Sequence, residues 1–180
     1  AAALGPGDTS DQHKKDTLIA GAGLCNTEAV DVLVSEGPEA VRKLIAQGAV
    51  FDKSDTGEIA LTREGGHLRD RILHAGGDAT GAEVSRALLA AVRDDEGIEI
   101  IEHALAIDAL KSASGRVCGV TLHVIGAGSR DGVGRALARA VVVATGGLGQ
   151  VYAQTTNPSV STGDGVALAL RAGAEIADVE

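Results

Sequence analysis

The sequence predicts an α/β fold, in which helices accompany a parallel sheet and an antiparallel β-meander is inserted. Apolar residues recur at helical spacing over residues 10–47, which indicates helices. Residues 140–144 are apolar on both faces, a pattern typical of a strand buried in a parallel sheet. Residues 116–125 alternate between two faces, as expected for strands of a meander that crosses glycine turns at 115 and 126–134.

Two or three helices are predicted within the first helical stretch. Asn26 is a start signal for one of them. Gly37, which precedes Pro38, is a second start signal, because proline is tolerated in the first turn of a helix. Gly48 is predicted to close the last helix.

A turn, a loop and a further helix are predicted next. Residues 50–62 hold a polar turn between two short extended stretches and predict a hairpin, and residues 63–77 form a loop rich in glycine, histidine and charge. Asp78 and Thr80 offer cap oxygens to a helix over about residues 81–93.

The last predicted elements are a strand and a helix. Residues 98–101 are mostly apolar and predict a strand. A final helix is predicted over residues 165–172, with Asp164 as its candidate N-cap.

Composition and charge exclude several classes of function. The chain has one Tyr, one Phe and no Trp, and its formal charge is −9, so neither stacking on bases nor binding to a nucleic-acid backbone is expected. No apolar run reaches the length of about 18 residues that a membrane helix needs, which makes a cytoplasmic location the expectation. The histidine spacings match no zinc or iron template, so no metal is expected. Cys25 and Cys118 are expected to be reduced thiols.

Two glycine-rich segments are candidate ligand sites. Thr145, Gly146 and Gly147 follow the predicted buried strand, where glycines let a ligand approach backbone N–H groups, although a turn required by packing explains them equally well. Asp164 lies between two glycines before a helix, where it can accept hydrogen bonds from ligand hydroxyls or cap the helix.

A third candidate is the charged loop around Glu64. Arg69, Arg71 and His74 follow it closely, so both signs of charge lie at short range, which suits a zwitterionic or dicarboxylate ligand. A solvated loop with internal ion pairs is the alternative.

Several segments together resemble the L-aspartate oxidases, FAD-dependent enzymes of NAD biosynthesis. The matching segments are residues 16–25, 61–67, 74–81, 144–147, 155–158 and 161–165. Residues 144–147 and 162–165 are shared with the wider succinate dehydrogenase and fumarate reductase flavoproteins, whereas residues 16–25 and 61–67 are similar to aspartate oxidases specifically. Two departures are Gly76-Gly77, where many relatives have two alanines, and Asp70, where a basic residue is common.

The resemblance implies a partial FAD-binding domain that is incomplete at both ends. Residues 1–180 would be an internal part of that domain, with 50–77 a hairpin and substrate-side loop and 115–139 a β-meander insertion. The strand and glycine-rich turn that grip the FAD pyrophosphate would lie upstream of Ala1. The chain alone is therefore expected to be inactive.

The resemblance also implies roles for individual residues. Glu64 matches the family carboxylate that meets the substrate ammonium, and an anion there favours aspartate over succinate. The cofactor-binding residues implied are Leu105 and Ala106 on the adenine side, Thr145, Gly146 and Gly147 near the pyrophosphate, and Asp164 toward the flavin polyol.

The implied reaction is the oxidation of L-aspartate to iminoaspartate, with electrons passed to oxygen or fumarate and a possible functional link to quinolinate synthase. Two alternatives stay open. One is a succinate dehydrogenase or fumarate reductase type of flavoprotein, which Glu64 disfavours. The other is an inert structural fragment.

Overall fold

The computed structural model describes residues 1–126, 128, 131–177 and 179. The chain divides into two compact units, Ala1–Glu99 and Ile100–Glu180. Among the helices in these described ranges, none is long and apolar enough to cross a membrane.

The first unit is mainly helical. Its elements are α1 (Ser10–Ala20), α2 (Thr27–Ala46), β1 (Leu61–Thr62), β2 (Ile72–Leu73) and α3 (Thr80–Arg93). Strands β1 and β2 pair antiparallel, and the core of this unit consists of Ala49, Phe51, Leu73, Ala75 and Ala87. The small β-ribbon therefore packs into the core through Leu73, directly before His74.

Helix α2 confirms one predicted start signal and contradicts the other. The side chain of Asn26 accepts hydrogen bonds from the first backbone N–H groups of α2, as predicted. Gly37 and Pro38 do not begin a new helix, because α2 runs through both. Val34 is buried and Val41 packs against the core on the same face, so continuous burial offsets the hydrogen bond that proline removes.

The predicted cap oxygens of the third helix are also wrong. Helix α3 begins at Thr80, but no side chain caps it. The hydroxyl of Thr80 instead donates to the backbone oxygen of Leu73, which ties the start of α3 to β2. The hydroxyl that the local sequence assigned to capping the helix is thus used in a tertiary hydrogen bond instead.

The hairpin and loop of the first unit are less regular than predicted. In residues 50–62 one isolated bridge, Lys53 to Ile59, closes the polar turn. The predicted loop over 63–77 contains β2, whose partner β1 lies at the end of the hairpin segment. The charged loop is therefore held at both ends by a strand pair.

The second unit is built on a three-stranded antiparallel meander. Its elements are β3 (Ala104–Lys111), β4 (Val117–Val124), β5 (Gly132–Leu137), a 3-10 turn (Gly149–Val151) and α4 (Asp164–Ala172). The strand order is β3-β4-β5, so the meander begins at β3 rather than at residue 115. Residues 127, 129 and 130 of the predicted second turn lie outside the described residues.

Two predicted strands are wrong. Residues 98–101 and 140–144 have no strand pairing, and Val142 is 88% exposed. A strand needs a neighbouring strand to pair with, and neither segment is paired with a strand among the described residues. Since the named strands of the described residues all pair antiparallel, the predicted parallel sheet is not formed among them.

Candidate functional site

A cleft of about 430 Å³ lies within the second unit. Four residues singled out from the sequence line it, namely Leu105, Ala106, Thr145 and Asp164. They come from β3, from the segment after the meander and from the start of α4. Residues up to 59 positions apart along the chain therefore meet at one place.

Strand β3 forms one side of the cleft and offers it backbone groups. It is an edge strand, in which Leu105 pairs with His123 and Ala106 with Leu122 of β4 on one side only. Its other side has no strand partner among the described residues, so apart from the oxygen of Ile107, which accepts from Nη2 of Arg171, its backbone groups there are open to a ligand.

The first turn of α4 packs tightly on the segment that carries Thr145. A Cβ atom added at Gly165 would lie 1.7 Å from Oγ1 of Thr145, which no side chain tolerates. Glycine at position 165 therefore allows the first turn of α4 to lie against Thr145, and this contact forms the floor of the cleft.

Asp164 is the first residue of α4 and not its cap, which corrects the prediction. Gly163 occupies the cap position with a φ of 82°, a left-handed conformation that glycine adopts without strain. The carboxylate of Asp164 accepts a hydrogen bond of 2.5 Å from the hydroxyl of Thr162 and lies at the positive end of the helix. Its orientation is thus fixed while its free oxygen remains available to ligand hydroxyls.

Gly146 and Gly147 do not line the cleft but directly follow Thr145. Gly146 has a φ of 73°, which favours glycine, and a Cβ added to either residue would meet nothing within 4 Å. The backbone of this turn is open to a ligand, as the sequence suggested.

These residues fit the FAD cofactor that the resemblance implies. Apolar side chains and an open strand edge suit a flat ring, and a fixed carboxylate suits the hydroxyls of a ribose or polyol. The volume of the cleft is that of a typical ligand site and suits part of such a cofactor.

The charged loop around Glu64, in the first unit, is anchored to α1. Asp16 accepts hydrogen bonds from the backbone N–H of Leu68, at 3.0 Å, and from Nη1 of Arg71, at 2.6 Å. Gly66 approaches Ala20 so closely that an added Cβ would lie 2.7 Å from its Cβ. The loop that carries Glu64 is therefore positioned by a helix that precedes it.

Arg71 is fully buried and belongs to an internal ion cluster. Its Nε and Nη2 atoms donate to both carboxylate oxygens of Asp8, at 2.6 and 2.8 Å. Hydrogen bonding by Arg71 lowers the pKa of Asp8, and the backbone N–H of Leu68, followed by Arg71, lowers that of Asp16. Both carboxylates in turn raise the pKa of Arg71. For Arg71 the alternative of an internal ion pair is thus the correct one.

Glu64 lies beside a histidine. Its side chain is 60% exposed, and its Oε1 atom is 3.2 Å from Nε2 of His74. His74 also contacts Oγ1 of Thr62, at 2.8 Å, and the backbone oxygen of Gly77, at 3.1 Å. The structure thus joins two of the loop residues that the sequence singled out, while Arg69 is exposed outside this cluster.

Sequence reasoning missed the supporting residues of both sites. Asp16 and Asp8 reach Arg71 across 55 and 63 positions, and no local pattern connects them. Thr162 and Gly165 belong to the glycine-rich motif around Asp164. Their position next to a candidate carboxylate is the sequence signal that could have identified them.

Comparison with known proteins places the fold among flavoproteins. Residues 1–180 match a family model described as an FAD binding domain. The chain is 67% identical over its whole length to the L-aspartate oxidase of Streptomyces coelicolor and 47% identical, again over its whole length, to the chloroplastic L-aspartate oxidase of Arabidopsis thaliana. It covers 31% and 28% of those proteins, so it spans about a third of the length of these curated relatives.

Solved structures agree with this result. Mycobacterium smegmatis Sdh1 in complex with UQ1 has a TM-score of 0.85 and 30% identity, over 96% of this chain and 30% of that one. A FrdA variant of the Escherichia coli quinol fumarate reductase has a TM-score of 0.86 and 29% identity, over 95% and 28%. The resemblance to L-aspartate oxidases and the expected partial FAD-binding domain are both confirmed.

Proposed function

This chain belongs to the family of FAD-binding domains, and on that premise we propose that it is part of an L-aspartate oxidase. The proposed reaction is the oxidation of L-aspartate to iminoaspartate in NAD biosynthesis. When bound, FAD would supply the redox chemistry as the hydride acceptor. The residues of this chain bind that cofactor and help to select the substrate.

The observation that carries the proposal is the cleft of the second unit. Leu105, Ala106, Thr145 and Asp164, the residues implied by resemblance for FAD, line the same space. The open backbone of Gly146 and Gly147 next to it suits the pyrophosphate, since N–H groups without neighbouring side chains bind anions. We assign the adenine side to β3 and the polyol side to Asp164.

On the substrate side we assign the ammonium of L-aspartate to Glu64. Its carboxylate is 60% exposed near the start of a loop that α1 holds in place, so a ligand cation can reach it beside His74. Succinate has no ammonium group and would place an apolar carbon beside this charge. Glu64 therefore favours aspartate over succinate.

The partners of the whole enzyme follow from this assignment. Oxygen or fumarate would accept the electrons from the reduced cofactor, and quinolinate synthase would use the product. We place these steps in the cytoplasm. The similarity to a fumarate reductase chain supports fumarate as one of the two acceptors.

The test is a Glu64→Gln substitution in the full-length enzyme. We expect the ratio of kcat/KM for L-aspartate to that for succinate to fall by up to about fivefold, because a partly exposed ion pair contributes up to about 1 kcal/mol. Glu58→Gln, in the exposed turn of the hairpin, is the matched control and should leave the ratio unchanged. An unchanged ratio in Glu64→Gln would remove Glu64 from substrate selection.

A second candidate is a succinate dehydrogenase or fumarate reductase type of flavoprotein, which the solved structures support. An enzyme of that kind would oxidise succinate in preference to L-aspartate even with Glu64 intact. Measuring both substrates with the unmodified enzyme therefore distinguishes the two candidates.

A further inference from the structure

The imidazole of His74 lies between a carbonyl and a carboxylate. Its Nδ1 atom is 3.1 Å from the backbone oxygen of Gly77, which can only accept, so Nδ1 carries a hydrogen. Its Nε2 atom is 2.8 Å from Oγ1 of Thr62 and 3.2 Å from Oε1 of Glu64. A proton on Nε2 therefore makes the ring a cation beside Glu64, and without that proton a lone pair faces the carboxylate.

A second carboxylate, that of Asp52, holds the backbone segment that carries this ring. Asp52 accepts hydrogen bonds from the backbone N–H groups of Gly76 and Gly77, at 2.9 and 3.3 Å, and its own N–H donates to the backbone oxygen of His74. Both glycines have positive φ, which aims their N–H groups at Asp52. Two carboxylates thus face this segment, Glu64 directly and Asp52 through the backbone.

Thr62 allows the ring to gain or lose its proton. A hydroxyl can accept a hydrogen bond from a protonated Nε2 or donate one to an unprotonated Nε2. The hydrogen bond of 2.8 Å between Oγ1 of Thr62 and Nε2 can therefore form in both protonation states of His74. The two states differ in charge while keeping their hydrogen bonds.

We propose that His74 is a positioning residue that links proton release to the recognition of a substrate ammonium by Glu64, an inference that rests on the proposed function. In the empty site the imidazolium balances Glu64. When an ammonium pairs with Glu64, two cations face one carboxylate, and the Nε2–H bond breaks. The proton passes to solvent, the electron pair stays on Nε2, and the hydroxyl of Thr62 turns to donate to it.

The proposal distinguishes two ligands of similar size. L-aspartate carries an ammonium, so its binding releases the proton of His74. Succinate carries none, so the imidazolium remains beside Glu64. We therefore expect the preference of the site for L-aspartate to increase with pH, over a measured range of about 5 to 8.

The experiment uses the full-length enzyme with its cofactor across that pH range. The Kd of L-aspartate comes from the concentration dependence of anaerobic flavin reduction, and that of succinate from the perturbation of the flavin absorbance. We expect the ratio of the succinate Kd to the aspartate Kd to rise by up to about tenfold per pH unit, the limit for one proton. In His74→Gln, whose amide donates but does not titrate, the ratio should not change with pH.

His103→Asn is the matched control. His103 is exposed in the other unit at a φ of 54°, which asparagine tolerates, and its substitution should leave the slope as in the unmodified enzyme. An equal slope in His74→Gln, or a preference for L-aspartate that is constant with pH in the unmodified enzyme, would overturn the proposal. Absence of any preference for L-aspartate would instead contradict the proposed function.

Discussion

The two units of the chain differ in what they bury. The first unit encloses charge, since Arg71 is 0% exposed and both of its carboxylate partners belong to the same unit. The second unit buries no charged side chain among its described residues, and its cleft is lined by exposed apolar residues such as Val142, at 88%, and Val160, at 75%. The difference teaches that the substrate-side loop is ordered by the chain's own groups, whereas the cleft offers its surface to a ligand. Changes in the first unit should affect unfolding, and changes in the second should affect FAD binding.

The largest expected effect comes from removing the charge at the centre of the first unit. Arg71→Met leaves the carboxylates of Asp8 and Asp16 buried without their cationic partner, which should lower the free energy of unfolding by about 3–5 kcal/mol. Equilibrium denaturation of the full-length protein measures the change. Arg42→Met removes an exposed arginine that pairs with Glu39 at 3.6 Å, and this control should change the free energy by less than about 0.5 kcal/mol. Similar losses of unfolding free energy in both variants would contradict the claim that the buried charge of Arg71 holds the first unit together.

The next largest effect is expected at the close contact between Gly165 and Thr145 in the second unit. Gly165→Ala places a Cβ 1.7 Å from Oγ1 of Thr145, so the start of α4 must move away, at a cost of about 1–3 kcal/mol. The cleft widens with that shift, and FAD should bind more weakly, as measured by flavin fluorescence. Gly81→Ala alters the same position of α3, where an added Cβ meets nothing within 4 Å, and should leave FAD binding unchanged. Equal FAD affinity in both variants would show that the contact between Gly165 and Thr145 does not affect FAD binding.

The smallest effect is a pH dependence of the first unit. His13 is buried, its Nδ1 atom has no hydrogen-bond partner among the described residues, and burial followed by the charge of Arg71 lowers its pKa below the usual 6.5. The unfolded chain therefore binds a proton at higher pH than the folded one, so stability falls as the pH drops below about 6.5. Asp8 and Asp16, whose pKa values are lowered from 3.8, lose their contribution only in more acidic solution.

Urea denaturation between pH 7 and 4.5 separates the two ranges. His13→Leu should flatten the loss of stability in that interval, while His103→Asn, at an exposed position, should not. If His13→Leu retains the same loss, then His13 is not its source.

Sequence alone singled out residues that the structure brings to one cleft, but little of what supports them. Leu105, Ala106, Thr145 and Asp164 were implied by resemblance, and the structure brings them to one cleft. Alternation along β4 indicated the meander, because each of its strands has a partner close in sequence.

The wrong predictions share a physical cause. Residues 140–144 have the apolar pattern of a buried strand, but a pattern of side chains does not supply a hydrogen-bonding neighbour. Pro38 marked a local helix start, whereas burial of Val34 and Val41 on one face decided the outcome. The partners of Arg71 lie 55 and 63 positions away, and only the tertiary structure brings them to it.

The central claim is that the second unit, and not the first, binds FAD. Its most direct test is the Kd of FAD for two single variants of the full-length enzyme. Asp164→Asn removes a charged acceptor that lines the cleft, and we expect FAD to bind about tenfold to a hundredfold more weakly, since hydrogen bonds to charged groups contribute about 1.5–3 kcal/mol. Glu64→Gln, on the substrate-side loop, should leave the Kd of FAD within about twofold, well inside the effect of one hydrogen bond. Equal weakening in both variants, or an unchanged Kd in Asp164→Asn, would contradict the assignment of the cofactor to the second unit.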